Sequence, residues 1–529
     1  MDKSIIKRNK CLLGTFVVLM ILLTIRLYYI QIICHEELSE VAQSQYEIMV
    51  EGIDTRGMIL DRNYVPLIGD ANQYYYFIKK ENYDGKLKQI LKDAGYSRIA
   101  SNSSKYYIYR TEKYDESANQ KLKDSYDAYV FQSTARYCDS QLACHLIGYL
   151  NEDEKKGVSG LEYLYQDLLE ADKSTLSLWA DGTGNILTGT SPYKKHIEND
   201  NTFTGDNKIG VITTIDYELQ SVTEKSIAQK SGAVLVMDAD NGELLAWASS
   251  PTFNPNRVED YLYGEGDCLI NKVSQAAYPP GSVFKIVTAI AGLECGIDMQ
   301  QEYICKGNTE VEGIAVGCMA GPEGGHGRVD MEKAMAVSCN CYFAELGEKI
   351  GYHKIIGVAS KMGFGRKTMN DFPEEIEGNL PRIEKLGPWD TSNLSIGQGE
   401  LLVTPLQICQ MTAAVANGGY LVMPKVILND SVEKTKVVDN DNILRLRKCM
   451  KEVMISGTAK GEWILDVYGK TGTAEVGSYG EGINVCWFTG YCRQDDKNYV
   501  ITVMVDKGTS GTKDALPVFR SIVDFLGKN

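Results

Sequence analysis

Three short segments far apart in this chain, Ser282-Val-Phe-Lys285, Ser338-Cys339-Asn340 and Lys470-Thr471-Gly472-Thr473, carry residue types that do chemistry only in company. A serine needs a base to take its proton, and a lysine beside two hydroxyls needs an anion to hold. Any fold that uses them must bring a helix start, a loop and a strand to one cleft. Order and context carry the signal, because Ser4, Ser191, Ser431 and Ser510 also begin a Ser-x-x-Lys match.

The first segment is the most informative locally. Pro279-Pro280-Gly281 stops the preceding loop, and Val283, Phe284, Ile286, Val287, Ala289 and Ile290 predict a helix that is apolar nearly all round and therefore buried. Ser282 stands at its start, and Lys285 lies three residues on, one turn away on the same face. Burial disfavours the charged amine and brings a lysine from about 10.4 toward neutral, as a base for a serine proton requires. The plainer reading, Ser282 as a helix cap and Lys285 on the surface, conflicts with those apolar flanks.

Ser338-Cys339-Asn340 follows the helical pattern Met331 to Val337 and precedes the apolar Tyr342-Phe343-Ala344. This places a hydroxyl that can relay a proton and an amide that can bond a substrate amide on an interhelical loop. Lys470-Thr471-Gly472-Thr473 opens a strand. Two more follow, Val485 to Tyr491 and Tyr499 to Val505, around a turn at Gln494-Asp495-Asp496, which reads as the antiparallel edge of a sheet. Gly472 leaves room for a substrate backbone, and Lys470, Thr471 and Thr473 offer charge and hydroxyls to a carboxylate.

The 529 residues allow two or three domains. Lys3, Lys7, Arg8 and Lys10 precede an uncharged run from Cys11 to Ile25, and after Arg26 the apolar character continues from Leu27 to Cys34. That is long enough to span a bilayer, with Arg26, Tyr28 and Tyr29 suited to the interface and the basic residues inside. A cleaved signal would need small residues at the cleavage site, and the first alanine is Ala42. The expected division is therefore a cytoplasmic tail (1–10), a transmembrane anchor (11–34), a polar, tyrosine-rich extracytoplasmic domain (35–206) and a catalytic domain (207–529). In the third, Tyr74 to Ile78 and Tyr106 to Tyr109 are candidate strands, and Arg56 to Asn63 reads as a short strand and turn with solvated charges. In the last, Val211 to Ile215 is a strand and Asp216 caps a helix that includes Leu219 and Val222. A hairpin through Asp240-Asn241-Gly242 joins Gly232–Met237 to Glu243–Ala248, read as central strands.

The net charge of -15, with no basic stripe beyond the first ten residues, argues against a nucleic-acid partner. The fourteen cysteines pair in an oxidising compartment and stay thiols where oxygen is absent. Cys305 and Cys318 flank one loop and could bridge, while Cys339 and Cys341 flank Asn340 with His326 nearby. Their spacing matches no standard zinc finger, so no metal or other cofactor is assigned, although disulfide, thiol and ligand roles all stay open.

Taken together, the three motifs resemble those of a class B penicillin-binding protein, the membrane-anchored monofunctional D,D-transpeptidase. The resemblance extends over nearly the whole chain, through Arg56-Gly57 with Asp61-Arg62, His145 to Tyr149, Gly157 to Glu162, Pro279-Pro280-Gly281, Gly397-Gln398-Gly399 and Thr404-Pro405-Leu406-Gln407. The last has its own physics as a helix start, with Thr404 as cap and Gln407 closing a capping box. The resemblance implies an α+β fold: an N-terminal transmembrane helix, an elongated mixed pedestal, and a transpeptidase domain with helices on both sides of an antiparallel sheet.

It also implies roles. Ser282 would attack the carbonyl between the last two D-alanines of a peptidoglycan stem peptide, and Lys285 would be the base. Ser338 would relay the proton to the leaving amine, and Asn340 would position the peptide. Lys470 would keep the field positive, Thr471 and Thr473 would hold the carboxylate, and Gly472 would allow close approach. The N–H groups of Ser282 and Thr473 would form an oxyanion hole, each worth roughly 3 kcal/mol of barrier. Beta-lactams would acylate the same serine, and a polytopic membrane glycan polymerase is the implied partner. A D,D-carboxypeptidase, a beta-lactamase and a non-catalytic scaffold of the wall-building complex are the alternatives.

Overall fold

The computed structural model describes the chain apart from residues 1–2, 35–46, 51–55, 70, 100–102, 104, 112–114, 152–155, 171–173, 182, 184, 188–192, 197–209, 265, 312, 370–371, 373, 388–389, 477–482 and 529. Two compact units emerge: one of residues 1–56, 71–135 and 171–205, the other of 57–70, 136–170 and 206–529. The expected boundary at 206/207 lies outside the described residues.

In the first unit, helix α1 (Lys3–Tyr28) runs on into a π-helical turn, Tyr29–Ile33. The stretch Arg8–Ile33, whose most apolar 18-residue window has mean hydropathy 2.2, is long and apolar enough to cross a membrane. Arg26 sits over the Tyr29 ring at 5.6 Å. The tyrosine-rich segments form a four-stranded antiparallel sheet in the order Ser97–Ile99, Tyr106–Thr111, Ala71–Lys79, Tyr129–Ala135. Alternation explains the composition. Tyr76 and Ile78 pack with Leu87, Leu91 and Leu122 from the helices Gly85–Asp93 and Glu116–Tyr126, while Tyr75 and Phe77 pack with Tyr106 and Ile108. Both faces are buried at the middle of the central strand, so the run Tyr75–Ile78 is apolar or aromatic at every position.

Two stretches that precede residue 206 belong to the second unit. Met58–Leu60 pairs in parallel with Gly210–Ile212. The turn after it is organised by Asp61, 1% exposed, whose carboxylate accepts from the N–H groups of Asn63 and Val65 at 2.7 Å each. The charges expected on a solvated face are thus partly structural: Asp61 is interior, and Arg62 pairs with Glu243 at 3.1 Å. Within 136–170, Glu162 is fully buried against Arg136 and accepts from the Tyr137 hydroxyl at 2.8 Å.

Asp216 caps α2 (Tyr217–Ile227) by accepting from Leu219 N at 3.0 Å. The hairpin forms as β1 (Gly232–Asp238) and β2 (Leu244–Ser250). Next come α3 (Lys285–Glu294), α4 (Met331–Ala336), α5 (Asn340–Ile350), α6 (Pro405–Ala416) and α7 (Asn440–Ile455). Three strands follow, β3 (Asp466–Val476), β4 (Ile483–Gln494) and β5 (Lys497–Gly508), and then α8 (Leu516–Leu526). The five strands make one antiparallel sheet in the order β2-β1-β5-β4-β3.

Helices cover both faces of this sheet, as period-two alternation in β4 shows. Phe488 packs on Phe519 of α8 with ring centroids 4.4 Å apart, and its neighbour Thr489 turns the other way to bond Thr412 of α6 at 2.7 Å. One expectation needs correction: β2 is an edge strand rather than a central one. It reads as central because all seven of its residues are buried, with α2 packed against it and Leu244 N bonded to Lys425 O at 3.0 Å. The capping box of α6 forms, Thr404 Oγ1 accepting from Gln407 N at 3.2 Å and Gln407 Oε1 from Thr404 N at 3.1 Å.

Candidate active site

Ser282 lies in a 3-10 turn, Gly281–Phe284, that feeds directly into α3. With three residues per turn, Ser282 and Lys285 eclipse more closely than in an α-helix. The turn is clamped to the sheet. Gly281 has φ +53°, and a side chain there would come within 2.7 Å of Thr473 O, so the start of the first motif lies against the backbone of the third. Trp487 Nε1 donates to Pro279 O at 3.0 Å from the neighbouring strand. Gly472 serves the same packing: a Cβ there would meet Val283 Cγ1 at 2.9 Å and Pro280 O at 3.1 Å. Its bareness admits the chain's own 279–284 segment, a packing role beside the substrate approach expected from the sequence.

The second motif sits where α4 ends and α5 begins. Cys339 N donates to Ala334 O at 2.8 Å and Ser338 N to Met335 O at 3.2 Å, the two bonds of a Schellman motif. Ser338 therefore occupies the left-handed position, φ +55°, that normally falls to glycine. A non-glycine residue there costs of order 1 kcal/mol, which the surrounding contacts must hold.

The three motifs meet at the Ser338 hydroxyl. Lys470 Nζ approaches its Oγ at 2.9 Å and Lys285 Nζ at 3.3 Å. Lys285 also donates to Ser338 O at 2.9 Å and Asn340 Oδ1 at 2.6 Å, and Lys470 to Thr471 O at 2.9 Å. Among the described residues no hydrogen bond joins Ser282 Oγ to Lys285; the amine is held toward Ser338 and Asn340 instead. Asn340 Nδ2 donates to Gly317 O at 3.0 Å, leaving its second N–H for a ligand. Thr471 is buried and bonded to the Thr458 hydroxyl at 2.7 Å, while Thr473 is exposed and accepts from Gly511 N at 3.1 Å.

Both lysines are fully buried. Desolvation brings Lys285 down to about 8, against an opposing pull from the Cys339, Cys318 and Cys341 thiols. Lys470 is driven well below the ordinary lysine range by burial and then by the charge of Lys285. The sequence had cast Lys470 as a fixed positive charge. In the free site Lys285 opposes charge on Lys470, and an incoming carboxylate would favour it.

A sulfur cluster stands behind this loop. The donor atoms of Cys305, Cys318, His326 and Cys339 all lie within 4.8 Å of one another. Cys318 Sγ is 3.8 Å from Cys339 Sγ and 3.2 Å from His326 Nδ1, and Cys305 Sγ is 3.7 Å from the same nitrogen. A disulfide would need about 2.05 Å, whereas a tetrahedral zinc with bonds of about 2.3 Å gives sulfur edges near 3.8 Å. Hydrogen bonds from Cys339 and Cys341 hold the Cys318 thiol toward thiolate. These four residues could hold a soft tetrahedral ion. No standard spacing announces them, because the fold assembles the set: strand pairing sets Cys305 opposite Gly327, next to His326, while Cys318 N bonds Gly307 O and Cys339 arrives on the turn after α4. Thr458 and Trp487 likewise carried no local pattern; only the fold brings them to the motifs.

A half-buried serine and two desolvated lysines, arranged across a helix turn, a loop and a sheet-edge strand, define a serine acyltransferase. The family model described as "Penicillin binding protein transpeptidase domain" matches residues 232–524. Peptidoglycan D,D-transpeptidase MrdA of Acinetobacter baumannii is 29% identical over 96% of this chain and 86% of its own length. Stage V sporulation protein D of Bacillus subtilis is 28% identical over 96% and 83% respectively. A chain solved in work on the structural coordination of polymerization and crosslinking by a peptidoglycan synthase complex superposes with a TM-score of 0.73 at 23% identity, covering 97% of both chains. This chain belongs to the penicillin-binding protein transpeptidase family and has the class B architecture.

Proposed function

We propose that the chain cross-links peptidoglycan stem peptides on the outer side of a membrane, through an acyl-enzyme on Ser282. Supporting this is one observation above all: two buried lysines converge on Ser338 Oγ while Gly281 holds Ser282 against the strand that carries Thr471 and Thr473. Lys285, once neutral, takes the proton as Ser282 Oγ attacks the carbonyl of the penultimate D-alanine. The C–N bond breaks, and Ser338 passes the proton to the departing D-alanine amine. The N–H groups of Ser282 and Thr473 receive the developing oxyanion. Thr471, Thr473 and Lys470 hold the terminal carboxylate, and Asn340 offers its second N–H to the peptide. An amine of a second stem peptide then attacks the ester carbonyl, and Ser282 recovers its proton. Beta-lactams enter the first half of this cycle and stop there.

The four-donor cluster of Cys305, Cys318, His326 and Cys339 supports a structural ion that braces the Ser338 loop from behind. The basic residues ahead of α1 favour a cytoplasmic N-terminus and an extracytoplasmic catalytic unit. Similarity to a chain of a peptidoglycan synthase complex favours a membrane glycan polymerase as partner.

The test is reconstitution of the full chain with such a polymerase and a lipid-linked disaccharide pentapeptide, with muropeptides read by mass spectrometry. Cross-linked dimers with release of D-alanine are expected. Release without dimers would mean a carboxypeptidase, and neither product would mean a scaffold.

A further inference from the structure

Thr458 belongs to none of the three motifs and yet touches two of them. It follows the end of α7, and its N–H donates to Ala336 O at 3.0 Å, at the base of the turn that presents Ser338. Gly457 makes this approach possible, since a Cβ there would fall 2.3 Å from the same carbonyl oxygen. On its other side the Thr458 hydroxyl lies 2.7 Å from the Thr471 hydroxyl, its hydrogen-bond partner among the described residues. Thr512 Oγ1 donates to Thr458 O at 3.3 Å and completes the tether.

A threonine hydroxyl owns one proton and two lone pairs. If Thr471 spends its proton inside the protein, it can only accept, and it faces a carboxylate oxygen to oxygen. If Thr458 is the donor, Thr471 keeps its proton for the ligand. The neighbouring threonine shows the second pattern in unambiguous form. Thr473 Oγ1 accepts from Gly511 N at 3.1 Å, and a backbone N–H can only donate, so the Thr473 proton is available outward.

We infer that Thr458 is a positioning residue for recognition of the substrate carboxylate: its hydroxyl donates to Thr471 Oγ1 and turns the Thr471 proton toward the carboxylate of the incoming stem peptide or beta-lactam. Thr458 and the Gly511 N–H thereby act as a matched pair behind Thr471 and Thr473. The inference rests on the proposed role of Thr471 in holding that carboxylate.

The test uses the full-length protein in detergent and the second-order rate of acylation by a penicillin and by its methyl ester, in which the carboxylate is masked. Thr458→Val keeps the shape and removes the hydroxyl, and should slow acylation by the free acid about tenfold while leaving the ester rate within about twofold. Thr458→Ser should restore the free-acid rate. An equal loss with both compounds, or a Thr458→Val protein that acylates normally, would overturn the inference. Should Thr458→Val fail to fold, Thr458→Ser alone decides, because loss of its free-acid preference would contradict a role carried by the hydroxyl. Thr471→Val separates the two layers. If that variant keeps full preference for the free acid, Thr471 does not hold the carboxylate, and the fault lies in the underlying reading rather than in Thr458.

Discussion

Lys470 Nζ stands 2.9 Å from Ser338 Oγ, closer than Lys285 Nζ at 3.3 Å, so one hydroxyl lies between two fully buried amines. Two ammonium groups this close in a desolvated site repel, and the site favours releasing a proton. Burial thus lowers the cost of presenting a neutral amine before substrate arrives.

Acylation should follow this chemistry with pH. Lys285 works as the free amine and is drawn down to about 8 by burial, so below that value it is increasingly protonated and inactive as a base. The rate constant for penicillin acylation should climb with pH, about tenfold per unit well below the turning point, and level off near 8. A rise that continues beyond pH 10 would contradict a Lys285 amine drawn down by burial.

Gly281→Ala should harm both fold and activity. The substitution combines a left-handed backbone with a contact of 2.7 Å to Thr473 O. A loss of about 2 kcal/mol or more is expected, measurable as a fall in melting temperature of several degrees. Gly296→Ala is the control: it has φ +77° but open space around it, and should cost only the strain, about 1 kcal/mol. Equal losses in the two variants would show that the contact with Thr473 is not what requires glycine at 281.

Arg136 and Glu162 form a buried ion pair, and Arg136 also donates to Gly57 O at 3.3 Å. Arg136→Ala removes the guanidinium that Glu162 is buried against and should destabilise the protein by about 3–5 kcal/mol, read in urea unfolding. The double variant Arg136→Met, Glu162→Leu should recover part of that loss. No difference between the single and double variants would mean that the buried Glu162 charge is not the cause.

The sulfur cluster makes a metal prediction. Protein purified under reducing conditions should carry about one zinc per chain by elemental analysis, and strong chelation should lower the melting temperature. Cys318→Ser should do both without removing Ser282 or Lys285. Metal-free protein of unchanged stability would leave these residues as ordinary buried thiols.

Much of this was legible from the chain, and for identifiable reasons. The apolar run after Ser282, the Asn-Gly turn and the Thr404 to Gln407 box are local signals, each readable within a few residues, and each element forms as its pattern predicts. What stayed hidden is what distance in sequence hides. β2 reads as a central strand because helix cover buries it as thoroughly as strand neighbours would. Asp61 reads as a surface charge because its partners, the N–H groups of its own turn and of Tyr217, leave no trace in composition. The metal-type cluster joins four residues from a strand pair, a loop and an interhelical turn, and the Thr458–Thr471 contact joins a helix end to a strand. Gly472 was singled out for the approach of a substrate backbone, and the fold adds a close partner that no local pattern shows, the chain's own Val283 and Pro280.

The most direct test of the central claim is intact-mass spectrometry of the full-length protein with a penicillin, followed over time beside Ser282→Ala. The account predicts one stable adduct per wild-type chain, located on Ser282, and none on the folded variant. An adduct that persists on Ser282→Ala would remove Ser282 as nucleophile, and rapid turnover of the wild-type adduct would contradict a transpeptidase that beta-lactams stall.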